Sequence, residues 1–310
     1  MVWGGTVFTA GWIMRIVSTY HSYNLDYYIS QYCLIIAGPP IWAACEYNIL
    51  GRLMHYLPMH APLHPHRVVI FFVYIGAAVE SLTAAGASTI AANKGDLAAI
   101  RRGGTLLSIA LVLQGAVECL FVFLVVVIHR RCARAHNGKL PRNVRTLCIM
   151  LYGTATLVFI RCVARAIEAF STETTISCNS TCHVLLYHEW YLYVFEAAPM
   201  LLYTYWLNII HPGRLLPEKR QTYLDLDGKT ERLGPGWIDR RPRWETFADP
   251  LDLVGLIKGQ PSHERFWGRP EEWPVVQSKG VPCRRISQTE DNMRRVDDSQ
   301  TLRGEHKASV

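Results

Sequence analysis

Arg161, Arg165 and Glu168 follow one another at i, i+4 and i+7, a spacing that puts all three on one face of a helix. Glu189 and Glu196 are seven residues apart and share a face of the next apolar stretch. Charges inside apolar runs are expensive, so each needs a partner, a protein interior or a water-filled cavity. At a rise of roughly 1.5 Å per residue, Arg161 falls about 9 Å and Glu196 about 14 Å from the predicted helix ends. A direct or water-bridged contact between them is therefore sterically reasonable. Gln114 and Glu118 share a face of the preceding stretch, and Glu80 lies in the outer half of the one before it. Glu46 falls close to the inner end of its stretch, where its carboxylate can snorkel, and Arg15 near an outer end. Together these groups predict a polar interior weighted toward the outer leaflet. Two roles fit it equally: a site for the charged head of an amphiphile whose tail meets apolar walls, or a paired ionic network that holds helices together.

Other residues shape the frame of such a site. Pro39-Pro40 is expected to interrupt the second stretch, and Pro199 falls three residues after Glu196. Proline removes a backbone donor and crowds the preceding turn, so all three are candidate kinks or hinges. Gly76 and Gly86 would let helices approach closely. His55, His60, His64 and His66 form a cluster, but the intervening sequence HYLPMHAPLHPH holds three prolines. One rigid ligand face is not expected there, and the segment reads as a solvated interfacial loop. His183, His188 and Glu189 lack a defined HExxH arrangement. No P-loop, dinucleotide fingerprint or nucleophile elbow is present. The chain reads as no enzyme, with no catalytic residues, metal or cofactor expected.

The elements that position these residues follow from distribution. Of the 310 residues 50 % are hydrophobic and 18 % charged, with 32 Lys+Arg against 25 Asp+Glu. Residues 1–210 hold only 14 of the basic residues, whereas 211–310 hold 18, with 16 of the acids and 9 of the 16 prolines. Six apolar stretches qualify as spans: about 2–18, 28–49, 68–90, 105–128, 146–167 and 187–210. Only helices satisfy their own backbone in lipid when no closed barrel forms, so the fold class is an all-α integral membrane bundle. Residues 211–310 read as a largely disordered cytoplasmic tail with one short apolar patch at 251–259. Arg240, Arg241 and Arg243 there suit anionic lipid, and the tail leaves room for a cytoplasmic protein partner. Nothing points to nucleic acid.

Loop charges set an expected orientation. Residues 130–145 carry six Lys/Arg and no acid, which predicts a cytoplasmic loop and C-terminus; residues 168–186 carry no Lys or Arg and are expected outside or in a lumen. Lys94, Arg101 and Arg102 on the 91–104 link weigh against that alternation. Asn179-Ser180-Thr181 is a glycosylation sequon on the outer loop, flanked by Cys178 and Cys182, which could close a small disulfide in an oxidising compartment. The expected location is the plasma membrane or an endomembrane.

Several stretches carry a family resemblance: GWIMR at 11–15, AGPPIWAACEYNILGR at 37–52, GTLLSIALVLQ at 104–114, IRCVARAIE at 160–168, HEWYLYVFEAAPM at 188–200 and HPG at 211–213. In this order they resemble the fungal RTA-like, or lipid-translocating exporter, family of seven-span membrane proteins. Gln114, Arg161, Arg165, Glu168, Glu189 and Glu196 match family positions. Gly76 and Thr83 stand where the family pattern has Asp and Gln, and Glu196 where Asp is usual. The family's first span is absent here, so the chain reads as N-terminally shortened. The resemblance implies translocation of lipids, sphingoid bases or amphiphilic sterol-like toxins, with membrane lipids or amphiphilic small molecules as partners and a contribution to stress resistance. A seven-span sensor signalling through its cytoplasmic loops and tail is the alternative, and a membrane lipid-modifying enzyme a weaker one.

Overall fold

The computed structural model describes residues 2–21, 24–92, 96–136, 138, 140–175, 190–217, 219, 221–225, 227–234, 237, 249 and 274–275. Five long helices come first: α1 (Val2–Tyr20), α2 (Leu25–Tyr56), α3 (Pro65–Ala92), α4 (Leu97–Ala135) and α5 (Arg142–Thr175). The sixth, α6, runs in three pieces: Trp190–Leu192, a π-helical turn at Tyr193–Ala197, and Ala198–Ile209. A short α7 (Pro212–Leu215) leads to the antiparallel strands β1 (Thr222–Leu224) and β2 (Glu231–Leu233). Sequential helices pack side by side, α1 on α2, α2 on α3, α3 on α4, α4 on α5 and α5 on α6. Ile29–Tyr56, Pro65–Ile90, Leu97–Ala135 and Arg142–Phe170 are long and apolar enough to cross a membrane. The remaining two of the six expected spans are the 19-residue α1, which contains Arg15 and three glycines, and the segmented α6.

The bundle is apolar outside and partly ionic inside. Val73, Tyr74, Ile109, Val112, Phe123 and Leu201 face outward, as a hydrocarbon solvent requires, while Glu46, Glu118, Arg161, Arg165 and Glu196 are buried. Helices overrun the predicted spans by as many as eight residues at an end, because polar helix ends extend past the apolar windows. Arg161 lies about 21 Å of helical rise from the end of α5 at Thr175, past the apolar window from which its depth was counted. Asp96 starts α4 by accepting the Ala98 amide at 2.9 Å.

The prolines act differently from one another. α2 continues as α-helix through Pro39 and Pro40, so the expected interruption does not occur. A bundle interior offers no water to reward breaking the helix, and packing of Gly38 on Phe8 holds the segment. Pro199 does coincide with an irregularity. It supplies no N–H to the carbonyl of Phe195, and the π turn ends two residues before it. Gly86 is a true close-approach residue: a Cβ there would lie 2.9 Å from the Gly103 carbonyl oxygen. Gly76 is not, its nearest neighbour being the Tyr47 ring at 4.0 Å.

The start of the expected disordered tail is folded. Arg52 Nη2 donates to the Pro217 carbonyl at 2.8 Å, Tyr56 Oη donates to Glu231 at 3.1 Å, and His55 stacks on Tyr223. These contacts lay the β1–β2 hairpin against the end of α2. The hairpin turn is organised by Asp227, which accepts the amides of Lys229 and Thr230 at 3.0 and 2.9 Å and the Thr230 hydroxyl. Gly228 takes φ +68°, a left-handed conformation suited to glycine.

Candidate functional site

Arg161 and Arg165 leave α5 one turn apart, and both reach the carboxylate of Glu196 on the π turn of α6. Arg161 Nε donates to Glu196 Oε1 at 2.8 Å, and its Nη2 lies 2.7 Å from the same oxygen. Arg165 Nε donates to Glu196 Oε2 at 2.8 Å, while its Nη1 donates to Glu168 Oε2 at 2.9 Å. Glu196 is 2 % exposed. Two cations and two anions cancel, and each Glu196 oxygen is taken by a different guanidinium. Such planar, multi-donor pairing is the arrangement in which buried charge costs least. α1 closes over this region, with Trp12 5.3 Å from the Tyr193 ring and the Arg15 guanidinium 5.9 Å above it. Glu80, half-buried on α3, is within electrostatic reach of Arg161.

A second group of acids sits in the same bundle without a cation beside it in the network. Glu46 on α2 is 0 % exposed and Glu118 on α4 is 3 % exposed. The expectation that Glu46 snorkels is corrected here: α2 runs on to Tyr56, which leaves this carboxyl in the interior. Neither Glu46 oxygen, nor Glu118 Oε1, has a hydrogen-bond partner among the described residues. The Thr154 and Tyr203 hydroxyls lie near Glu46. Thr154 donates to the Met150 and Leu151 carbonyls, and Tyr203 to the Trp42 carbonyl at 3.1 Å. Glu46 and Glu118 are close enough to interact electrostatically. Gln114 is half-buried one turn before Glu118. The polar interior thus includes Glu46, Glu118 and Gln114 as well as the Glu196 network.

The histidine loop also departs from expectation. Two of its histidines are shielded, His60 and His64 each being 7 % exposed, whereas His55 is half-buried and His66, on α3, is exposed. His60 lies against the end of α4, its ring 5.9 Å from that of His136. Burial first, then His136 and Arg131, hold the His60 pKa below its ordinary value. A separate cleft of about 330 Å³ lies at this end, lined by Arg52, His55, His66 and Lys219 among others, away from the ionic network. Glu189, His183, His188, the Asn179 sequon and the candidate pair Cys178 and Cys182 lie outside the described residues. Cys33, Cys119, Cys132, Cys148 and Cys162 are free thiols.

Long apolar helices around a charged interior define a multi-pass integral membrane protein with an all-helical bundle. Residues 1–219 match the family described as RTA1 like protein, and the chain belongs to that family. It is similar to the lipid-translocating exporter-like protein RTA1 of Leptosphaeria maculans, 36 % identical over 268 residues, covering 81 % of this chain and 50 % of that protein. A protein of the same description from Ajellomyces capsulatus is 31 % identical over 234 residues, covering 72 % of this chain and 70 % of its own. Protein RTM1 of Saccharomyces cerevisiae is 25 % identical over 198 residues, covering 62 % and 60 %. The chain therefore spans about half the length of its Leptosphaeria relative. No solved structure matches it.

Proposed function

We propose that this protein is a non-enzymatic translocator of an amphiphilic lipid carrying a cationic head, of the long-chain amine type. The relatives' description as lipid-translocating exporters supports the transport class. The observation that carries the head-group choice is the buried pair Glu46 and Glu118, whose oxygens lack the guanidinium partners that neutralise Glu196. An ammonium group can donate to both carboxyls while its hydrocarbon tail lies against the apolar helix faces. In this reading Arg161, Arg165, Glu168 and Glu196 hold α5 to α6 beside the path, and Pro199 with the π turn lets α6 adjust. The hairpin end faces the cytoplasm, consistent with the six basic residues of 130–145. Export of such amphiphiles gives resistance to toxic ones.

The test is reconstitution of the full chain into vesicles containing a fluorescent long-chain amine. Protein-dependent redistribution between leaflets is expected, reduced at least about tenfold in Glu118→Gln and Glu46→Gln variants that keep their helical content. A folded wild-type protein that leaves the amine distribution unchanged would defeat the transport reading. Redistribution that is equally fast for a neutral-headed lipid, and insensitive to both variants, would defeat the cationic-head assignment alone.

A further inference from the structure

His60 on the α2–α3 loop, and Cys132 and His136 at the end of α4, each offer one ligand atom, and these atoms lie within 4.8 Å of one another. Tetrahedral bonds of roughly 2.0–2.3 Å put ligand atoms about 3.3–3.8 Å apart, so a contraction of about 1 Å completes the geometry. The orientation of His136 favours this. Its Nδ1 lies 3.1 Å from the Cys132 carbonyl oxygen, to which it donates, leaving the lone pair on Nε2. That nitrogen is buried with no hydrogen-bond partner among the described residues. A backbone carbonyl behind a ligating imidazole is the common way of fixing its tautomer and ring orientation. Cys132 is 0 % exposed and unpaired with any other thiol.

We infer that His60, Cys132 and His136 bind a borderline-soft divalent cation of the zinc class, which fastens the α2–α3 loop to the end of α4 beneath the β-hairpin. One thiolate and two neutral imidazoles suit zinc and disfavour magnesium or calcium, which take oxygen ligands. The thiol proton leaves on binding, and the thiolate offsets one of the two metal charges, which matters beside Arg131. No fourth His, Cys, Asp or Glu joins the group among the described residues. The fourth position then falls to water or a small anion, as in zinc sites that keep an open position.

The hairpin roof fits this assignment. A Cβ at Gly228 would stand 2.6 Å from His136 Nε2 and 2.9 Å from Pro141 Cγ. Glycine at the turn thus leaves the imidazole edge unfilled. Metal binding would join two segments that are far apart in sequence, and binding only to the folded arrangement makes it a source of local stability. This inference does not depend on the transport reading, since neither Glu46, Glu118 nor Glu196 takes part.

The experiment uses the purified full chain in detergent, loaded with Co²⁺ and separately with Zn²⁺. Wild-type protein should bind one Co²⁺ with sulfur-to-cobalt charge-transfer absorption, and X-ray absorption of the zinc form should show one sulfur and two imidazole ligands. Cys132→Ser should abolish the charge-transfer band, and His60→Ala and His136→Gln should each weaken binding at least about tenfold. His66→Ala should change neither. A wild-type cobalt spectrum without a sulfur band overturns the site whatever the variants do. So does a ligand shell with no sulfur, or a band that survives Cys132→Ser.

Discussion

The bundle handles buried charge in two opposite ways. Around Glu196 every carboxylate oxygen meets a guanidinium, with contacts of 2.7–2.8 Å to Arg161 and Arg165. Around Glu46 and Glu118 three of the four carboxyl oxygens have no hydrogen-bond partner among the described residues. Both regions are almost completely shielded, so burial alone does not separate them. Satisfaction does. A fully matched network is costly to break and gains little from a ligand, whereas an unmatched pair has acceptor capacity to give. On the proposed function, the first region has an architectural role and the second recognises the head group.

The largest effect is expected from Glu196→Gln. It leaves Arg161 and Arg165 buried with one neutral amide between them, at a cost of about 3–5 kcal/mol. Thermal unfolding in detergent should show a clear loss of stability, and a melting temperature within error of wild type would remove the architectural reading. Arg165→Lys comes next. Arg165 spans Glu196 and Glu168 at once, which one ammonium reproduces poorly, so a loss of about 1.5–3 kcal/mol is expected. A double-mutant cycle with Glu168→Gln checks it, because the coupling should vanish in the lysine background.

Glu118→Gln sharpens the other side. It removes an acid with an unpartnered oxygen, so stability should stay within about 1 kcal/mol of wild type or rise, even as amine redistribution falls. Destabilisation as large as that of Glu196→Gln would make the two regions alike and erase the distinction. The smallest effect lies in the hairpin. The Thr230 hydroxyl, with the Lys229 and Thr230 amides, lowers the Asp227 pKa from 3.8 to about 2. A depressed folded-state pKa stabilises above the unfolded value and is lost as pH falls through the folded one. Exchange protection of the Lys229 and Thr230 amides, corrected for intrinsic rates, should be flat above pH 4 and fall between about 4 and 2. Asp227→Asn should flatten that profile.

Much of this was written in local pattern. Runs of roughly 20 apolar residues depend only on neighbours in sequence, and they define the helices whatever the tertiary arrangement. The i, i+4, i+7 placement of Arg161, Arg165 and Glu168 is likewise a property of one helix, so their shared face was legible. The Arg161–Glu196 contact was readable as a reasonable geometry because a single connection joins α5 and α6. Its second half was not: Arg165 shares the same carboxylate, a contact that a common face of α5 does not by itself specify.

What local pattern alone determined is the class: an all-helical membrane bundle of the RTA1-like family with charges in its interior. Tertiary structure decided which charges are matched. Glu196 and Glu118 look alike in sequence, each an acid in an apolar run, and only helix rotation and packing gave one two guanidiniums and left the other short of partners. The same holds for His60, which no spacing rule groups with Cys132 and His136, because α3 and most of α4 lie between them in sequence. It holds for the hairpin too, whose short strands acquire their place from α2. Periodicity says which residues share a face of one helix. The partner that the face meets is chosen by the sum of contacts along several helices, and that sum exists only in the folded bundle.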